Sequence, residues 1–179
     1  MEEPVPRFIE ALYRASAGLS LVAGWLAALI MLGMTLHILT EIVLRSFFDT
    51  STHLVEEYVG YGLKTMIFLG LGHALERGNL VRVDLMLDRL GSGALRCGME
   101  IAICVTSLCA LAFILHYAWF SMARRYEMGT VSMTLAATPL WIPEAIVVVG
   151  MVVFGIQLAA YAFRIAAGGP LIDDRQSLD

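Results

Sequence analysis

The chain has 179 residues, of which 59% are hydrophobic and 16% charged, and its mean hydropathy is +0.76. That balance excludes an ordinary soluble domain and identifies a membrane protein. A net charge of -4 excludes the broad basic surface that nucleic-acid binding requires.

Near the N-terminus Phe8, Leu12, Ala15 and Leu19 recur at helical spacing while Arg7, Glu10 and Arg14 fall on another face. This pattern predicts an amphipathic helix lying in the membrane interface. The opening Met1-Glu2-Glu3-Pro4 places acids where a signal peptide has its basic region, so the first apolar run is expected to be retained. Crossing about 30 Å of hydrocarbon takes about 20 apolar residues in a helix. Four windows meet that need: Leu19 to Leu44, Tyr58 to Leu75, Ile101 to Met122 and Leu140 to Phe163.

A short polar turn separates the first two windows, and a loop rich in Gly, Thr and Ser separates the last two. Between the second and third, Leu80, Val81, Val83, Leu85, Leu87 and Leu90 interleave with Arg82, Asp84, Asp88 and Arg89, which predicts a segment along the membrane surface. Gly91 and Gly93 then free the chain to turn into the third span. Arginines mark the cytoplasmic side. Arg7, Arg14, Arg77, Arg82, Arg89, Arg96, Arg164 and Arg175 flank one side, against Arg45, Arg124 and Arg125 on the other. The expected architecture is all-α, a single integral membrane domain over residues 1–179 with four transmembrane helices, an N-terminal interfacial helix and both termini cytoplasmic.

Two small-xxx-small pairs, Gly70 with Ala74 and Gly155 with Ala159, predict close helix packing. Trp25, Trp119 and Trp141 are candidates for an aromatic belt, with Trp141 anchoring the start of the fourth span. Cys97, Cys104 and Cys109 form neither a CxxC motif nor a Cys/His metal spacing, and read as small buried hydrophobes.

Polar groups inside apolar spans are the best functional pointers, because each charge costs about 2.5–3.5 kcal/mol at a helix centre. Lys64 lies well inside the second span, Glu41 one turn before the end of the first, and Glu144 just after Pro143 at the start of the fourth. His37 and His116 are the deepest polar residues of the first and third spans. Glu41 falls at a depth near that of Lys64 and is a candidate partner for its ammonium. Arg45, Glu56 and Glu57 crowd the mouth between the first two spans, where an arginine beside two carboxylates is expected to tie the helix ends together.

One constellation has a recognisable order: Arg45-Ser46-Phe47-Phe48, then Glu56-Glu57, then Phe68-Leu69-Gly70 with Ala74, then Arg82-Val83-Asp84, and finally Pro139-Leu140-Trp141. It resembles the small membrane subunit of the tripartite ATP-independent periplasmic (TRAP) transporters, from about Leu19 onward. Gly60 departs from a position where that family often has a basic residue, and Lys64 from one where a large apolar or aromatic side chain is more usual. The resemblance implies a non-enzymatic subunit without a cofactor, set in the bacterial inner membrane. Its implied partners are membrane lipid, a large permease subunit carrying the transport path, and a periplasmic binding protein that delivers substrate. Import of organic acids driven by an ion gradient is implied as well, with this subunit as scaffold. Taken together, the polar positions and the motifs make Glu41, Arg45, Glu56, Glu57, Lys64, Arg82, Asp84 and Trp141 the candidates for subunit contacts or structure.

Three other readings ask for features of their own. A four-helix b-type haem protein needs two histidines at matching depth on neighbouring helices, and His37 with His116 is the one plausible pair. A quinone-linked disulfide-forming enzyme needs cysteine pairs facing the periplasm, which the expected topology does not supply. A self-contained proton-coupled exporter needs a carboxylate deep in the bundle, and neither Glu41 nor Glu144 lies that deep.

Overall fold

The computed structural model describes residues 7–77 and 94–167, and they fold into four helices. These are α1 (Arg7–Phe48), α2 (Val55–Glu76), α3 (Ala94–Glu127) and α4 (Trp141–Ala166). The first three expected spans each fall inside one helix, and the fourth starts one residue before its helix, at the N-cap Leu140. α1, α3 and α4 are long and apolar enough to cross a membrane. α2, with 22 residues, is about 33 Å long. It carries Glu56, Glu57, Lys64, His73 and Glu76 within those 22 residues.

The expected interfacial helix is not a separate element. α1 runs unbroken for 42 residues, about 63 Å, so its first turns are continuous with the span that follows. Its apolar stripe points away from the bundle, as a membrane-contacting face requires: Phe8, Leu12 and Leu19 are exposed. The packed seam is Tyr13, Ser16, Ser20, Ala23 and Ala27, spaced alternately three and four residues apart. Small side chains along that seam let α1 approach its neighbours closely.

α4 is the central helix. It packs against α1, α2 and α3, while α1 also packs on α2. One apolar cluster joins Tyr13, Leu75, Cys104, Leu158, Tyr161 and Ile165, and a second joins Ala23, Ala27, Leu69 and Val153. Cys104 is buried as expected, whereas Cys109 is exposed.

The closest approaches occur at glycines other than the predicted pairs. A Cβ on Gly150 would lie 2.9 Å from the Phe68 carbonyl carbon, and one on Gly72 would lie 2.7 Å from Ser20 Oγ. At Gly70 the nearest atom would be 3.9 Å away, which is ordinary contact, whereas at Gly155 Leu111 Cδ2 would lie at 3.2 Å, a tight approach of α3 to α4. Gly150 and Gly72 therefore set how closely α4 and α1 sit on α2.

The turn between α1 and α2 and the loop between α3 and α4 share one end of the bundle, where Tyr58 Oη and Thr138 Oγ1 are 3.2 Å apart. The surface segment expected around Arg82 and Asp84, the turn at Gly91 and Gly93, and Arg175 lie outside the described residues.

Candidate functional site

The loop end of the bundle is organised by two carboxylates. Glu41 is 5% exposed and faces the turn that follows α1. Asp49 and His53 both adopt left-handed backbone there, with φ of 50° and 56°. Aspartate and histidine tolerate that region better than most residues. The reversed chain brings Ser51 and Thr52 back over Glu41. Thr52 donates its amide at 3.0 Å and its hydroxyl at 2.6 Å, and the Ser51 hydroxyl donates as well. Arg45, one turn on, donates Nε at 2.8 Å. Glu41 thus holds the entry to α2, which has no side-chain cap of its own.

This arrangement corrects two expectations. Arg45 does not bridge to Glu56 or Glu57; its ion pair is with Glu41 on its own helix. Glu41 in turn is occupied by the turn and does not reach Lys64. The reason is local: a serine and a threonine ten and eleven residues on deliver three donors to Glu41.

Glu57 serves the other loop. α3 ends in a Schellman motif, with Thr130 N–H donating to the Arg125 carbonyl at 3.2 Å and Gly129 N–H to that of Tyr126 at 3.2 Å. Gly129 supplies the positive φ of 59° that this stop requires. The chain then folds into a hairpin-like loop, with Val131 bridged to Pro139 and Ser132 N–H donating to the Thr138 carbonyl at 2.9 Å. The Thr134 hydroxyl donates to Glu57, and so does the Tyr61 hydroxyl at 2.8 Å. The Thr134 hydroxyl is the main cause that holds the Glu57 carboxyl below its ordinary range. Glu56, its neighbour, is exposed.

Glu144 forms a third tie. It pairs with Arg125 Nε at 2.7 Å and accepts from the Ser121 hydroxyl at 3.3 Å, which joins the start of α4 to the end of α3. Trp141 opens α4 as the spacing predicts and meets the Tyr126 ring edge-on at 5.3 Å. Lys64 is exposed beside this tie, its Nζ 5.5 Å from the centre of the Tyr61 ring.

The opposite end holds a polar group that sequence reasoning treated only as a topology marker. Arg164 is 2% exposed, lies 4.5 Å from the centre of the Tyr13 ring and 3.5 Å from Glu10 Oε2. Beside it Tyr161 donates to the buried Glu100 at 3.3 Å. Two signals were present in the sequence: an arginine within α4's last apolar turn, and a glutamate and tyrosine three residues apart near the start of α1. Nothing in the sequence joined them.

His37 meets Tyr58 edge-on at 6.1 Å in a cleft of about 380 Å³ lined by Gly33, Met34, Tyr58 and Val59. His116 is exposed on α3. α1 and α3 each pack chiefly on other helices, so the pair that haem ligation needs is not brought together. Among the described residues no group of three or more His, Cys, Asp or Glu is placed to hold a metal ion.

The residues that organise the loop end, Glu41, Arg45, Glu57, Glu144 and Trp141, all fall within residues 34–168. That stretch matches a family model described as tripartite ATP-independent periplasmic transporters, DctQ component. No curated protein and no solved structure matches the chain. The family match spans the last part of α1, from residue 34, and all of α2, α3 and α4, and it agrees with the order of motifs from Arg45 to Trp141. The chain belongs to the DctQ component family, the small membrane subunits of the TRAP transporters.

Proposed function

We propose that this chain is the scaffold of an ion-gradient-driven TRAP importer of organic acids, bracing a large permease subunit in the bacterial inner membrane. A periplasmic binding protein delivers the substrate, and the loop end of the bundle faces the periplasm with both termini cytoplasmic. The arginine bias supports that orientation.

The observation that carries the scaffold reading is how the acidic side chains of the loop end are used. Glu41, Glu57 and Glu144 each bind donors on a turn, loop or neighbouring helix, an arrangement that fixes the bundle's shape. Outward, α1 presents Trp25, Leu29, Leu32, Leu36 and Leu39 as one apolar surface suited to lipid or to a larger membrane protein. Reconstitution tests the proposal. The chain alone in liposomes should give no ion-dependent uptake of organic acids, and adding the large subunit and binding protein should produce it. Uptake by the isolated chain would overturn the scaffold role.

A further inference from the structure

Lys64 is a cation on a membrane-facing helix that the ties described above leave over. It lines a pocket of about 160 Å³ with Ala118 and Ser121 of α3 and Pro143, Glu144 and Val147 of α4. Each nearby carboxylate is occupied elsewhere. Glu144 is held by Arg125 at 2.7 Å and by Ser121, Glu57 by the Tyr61 and Thr134 hydroxyls, and Glu41 by Arg45 and the α1–α2 turn. Among the described residues no carboxylate lies within ion-pair distance of Lys64. At the pocket, Lys64 and Arg125 against Glu144 leave one positive charge without a counter-ion.

Depth and shape say what sits there. Lys64 is seven residues beyond Glu57, about 10 Å along α2. Its ammonium lies near the ring of Tyr61, one turn nearer the loop end. A lysine stem that reaches back toward the interface places its charge at the depth of lipid headgroups. The pocket has a polar mouth at Lys64, Ser121 and Glu144, and apolar walls at Ala118, Pro143 and Val147. Ile67 and Ile114, one turn deeper on the same helix faces, are 48% and 50% exposed and continue that wall into the bilayer. A headgroup at the mouth with its acyl chain along Ile67 and Ile114 satisfies both halves. We propose that the pocket between α2, α3 and α4 binds an anionic phospholipid, with its phosphate on Lys64.

The test uses the full chain in detergent, offered mixed micelles of phosphatidylglycerol and phosphatidylcholine, with retained lipid counted by mass spectrometry. Wild type should retain phosphatidylglycerol over phosphatidylcholine, and Lys64→Arg should behave alike. Lys64→Gln should lower retention about fivefold, the equivalent of about 1 kcal/mol for one basic residue at an anionic membrane surface. Arg124→Gln, which removes a cation stacked on Phe120 outside the pocket, should leave retention unchanged. Inorganic phosphate should not displace the lipid. Equal retention by Lys64→Gln, equal loss in Arg124→Gln, or displacement by phosphate would each overturn the site. A second arm copurifies the large subunit. If Lys64→Gln lost that subunit while lipid retention held, the counter-charge would be a carboxylate of the partner protein and the lipid assignment would fail.

Discussion

The two ends of the bundle differ in the charge they bury: carboxylates organise the loop end, and a guanidinium is buried at the other. At the loop end, carboxylates on α1, α2 and α4 accept hydrogen bonds from hydroxyls, a backbone amide and arginines with a route to solvent. At the other end, among the described residues, a guanidinium is buried against an aromatic ring and one partly exposed carboxylate, beside a buried carboxylate held by a tyrosine hydroxyl. A carboxylate at a helix end can gather several donors from a short turn, so each bond is replaceable. A buried cation with few partners is costly to disturb, because losing one partner leaves an uncompensated charge in a low-dielectric site.

That contrast predicts the largest effect at Arg164. Glu10→Ala strands the buried guanidinium and should destabilise the chain by about 3 kcal/mol, whereas Arg164→Met, which removes the charge and keeps the stem's packing, should cost much less. Thermal unfolding in detergent measures both, and equal losses would erase the proposed difference between the ends.

An intermediate effect is expected at the Glu57 clamp. Thr134→Val removes one hydroxyl donor and should cost about 1 kcal/mol. Amides 130–138 should then exchange faster at neutral pH while residues 10–16 stay protected. Acid should act on the same clamp. Because the folded pKa of Glu57 lies below its ordinary 4.5, the clamp's contribution is fully present above about pH 4.5 and is lost as the pH falls through the lowered value. Hydrogen exchange across that range in wild type, compared with Thr134→Val, isolates this contribution; identical pH profiles would show that Glu57 does not hold the loop.

The smallest effect belongs to Arg45. Its side chain is 62% exposed and adds one of several bonds to Glu41, so Arg45→Ala should cost about 0–1 kcal/mol. A loss comparable to that of Glu10→Ala would mean that the loop end also depends on a single ion pair.

The sequence by itself determined the four apolar helices and their approximate limits, the start of α4 at Trp141 and the family, though not that the N-terminal helix continues into the first span. These depend on local properties: runs long enough for hydrocarbon, Pro and Gly punctuation, and an ordered set of short motifs. Which face of each helix packs inward was not legible. In a membrane the outer solvent is as apolar as the core, so nothing in the pattern marked Ser16 and Ser20 as the seam rather than the leucines around them. Partner choice was equally hidden. Glu57 meets Thr134 across 77 residues of chain, and Arg164 near the end of α4 meets Glu10 near the start of α1. Only the packing of α4 against α1, and of the α3–α4 loop against α2, decides those contacts, because neither composition nor spacing encodes which distant donor arrives at a given carboxylate.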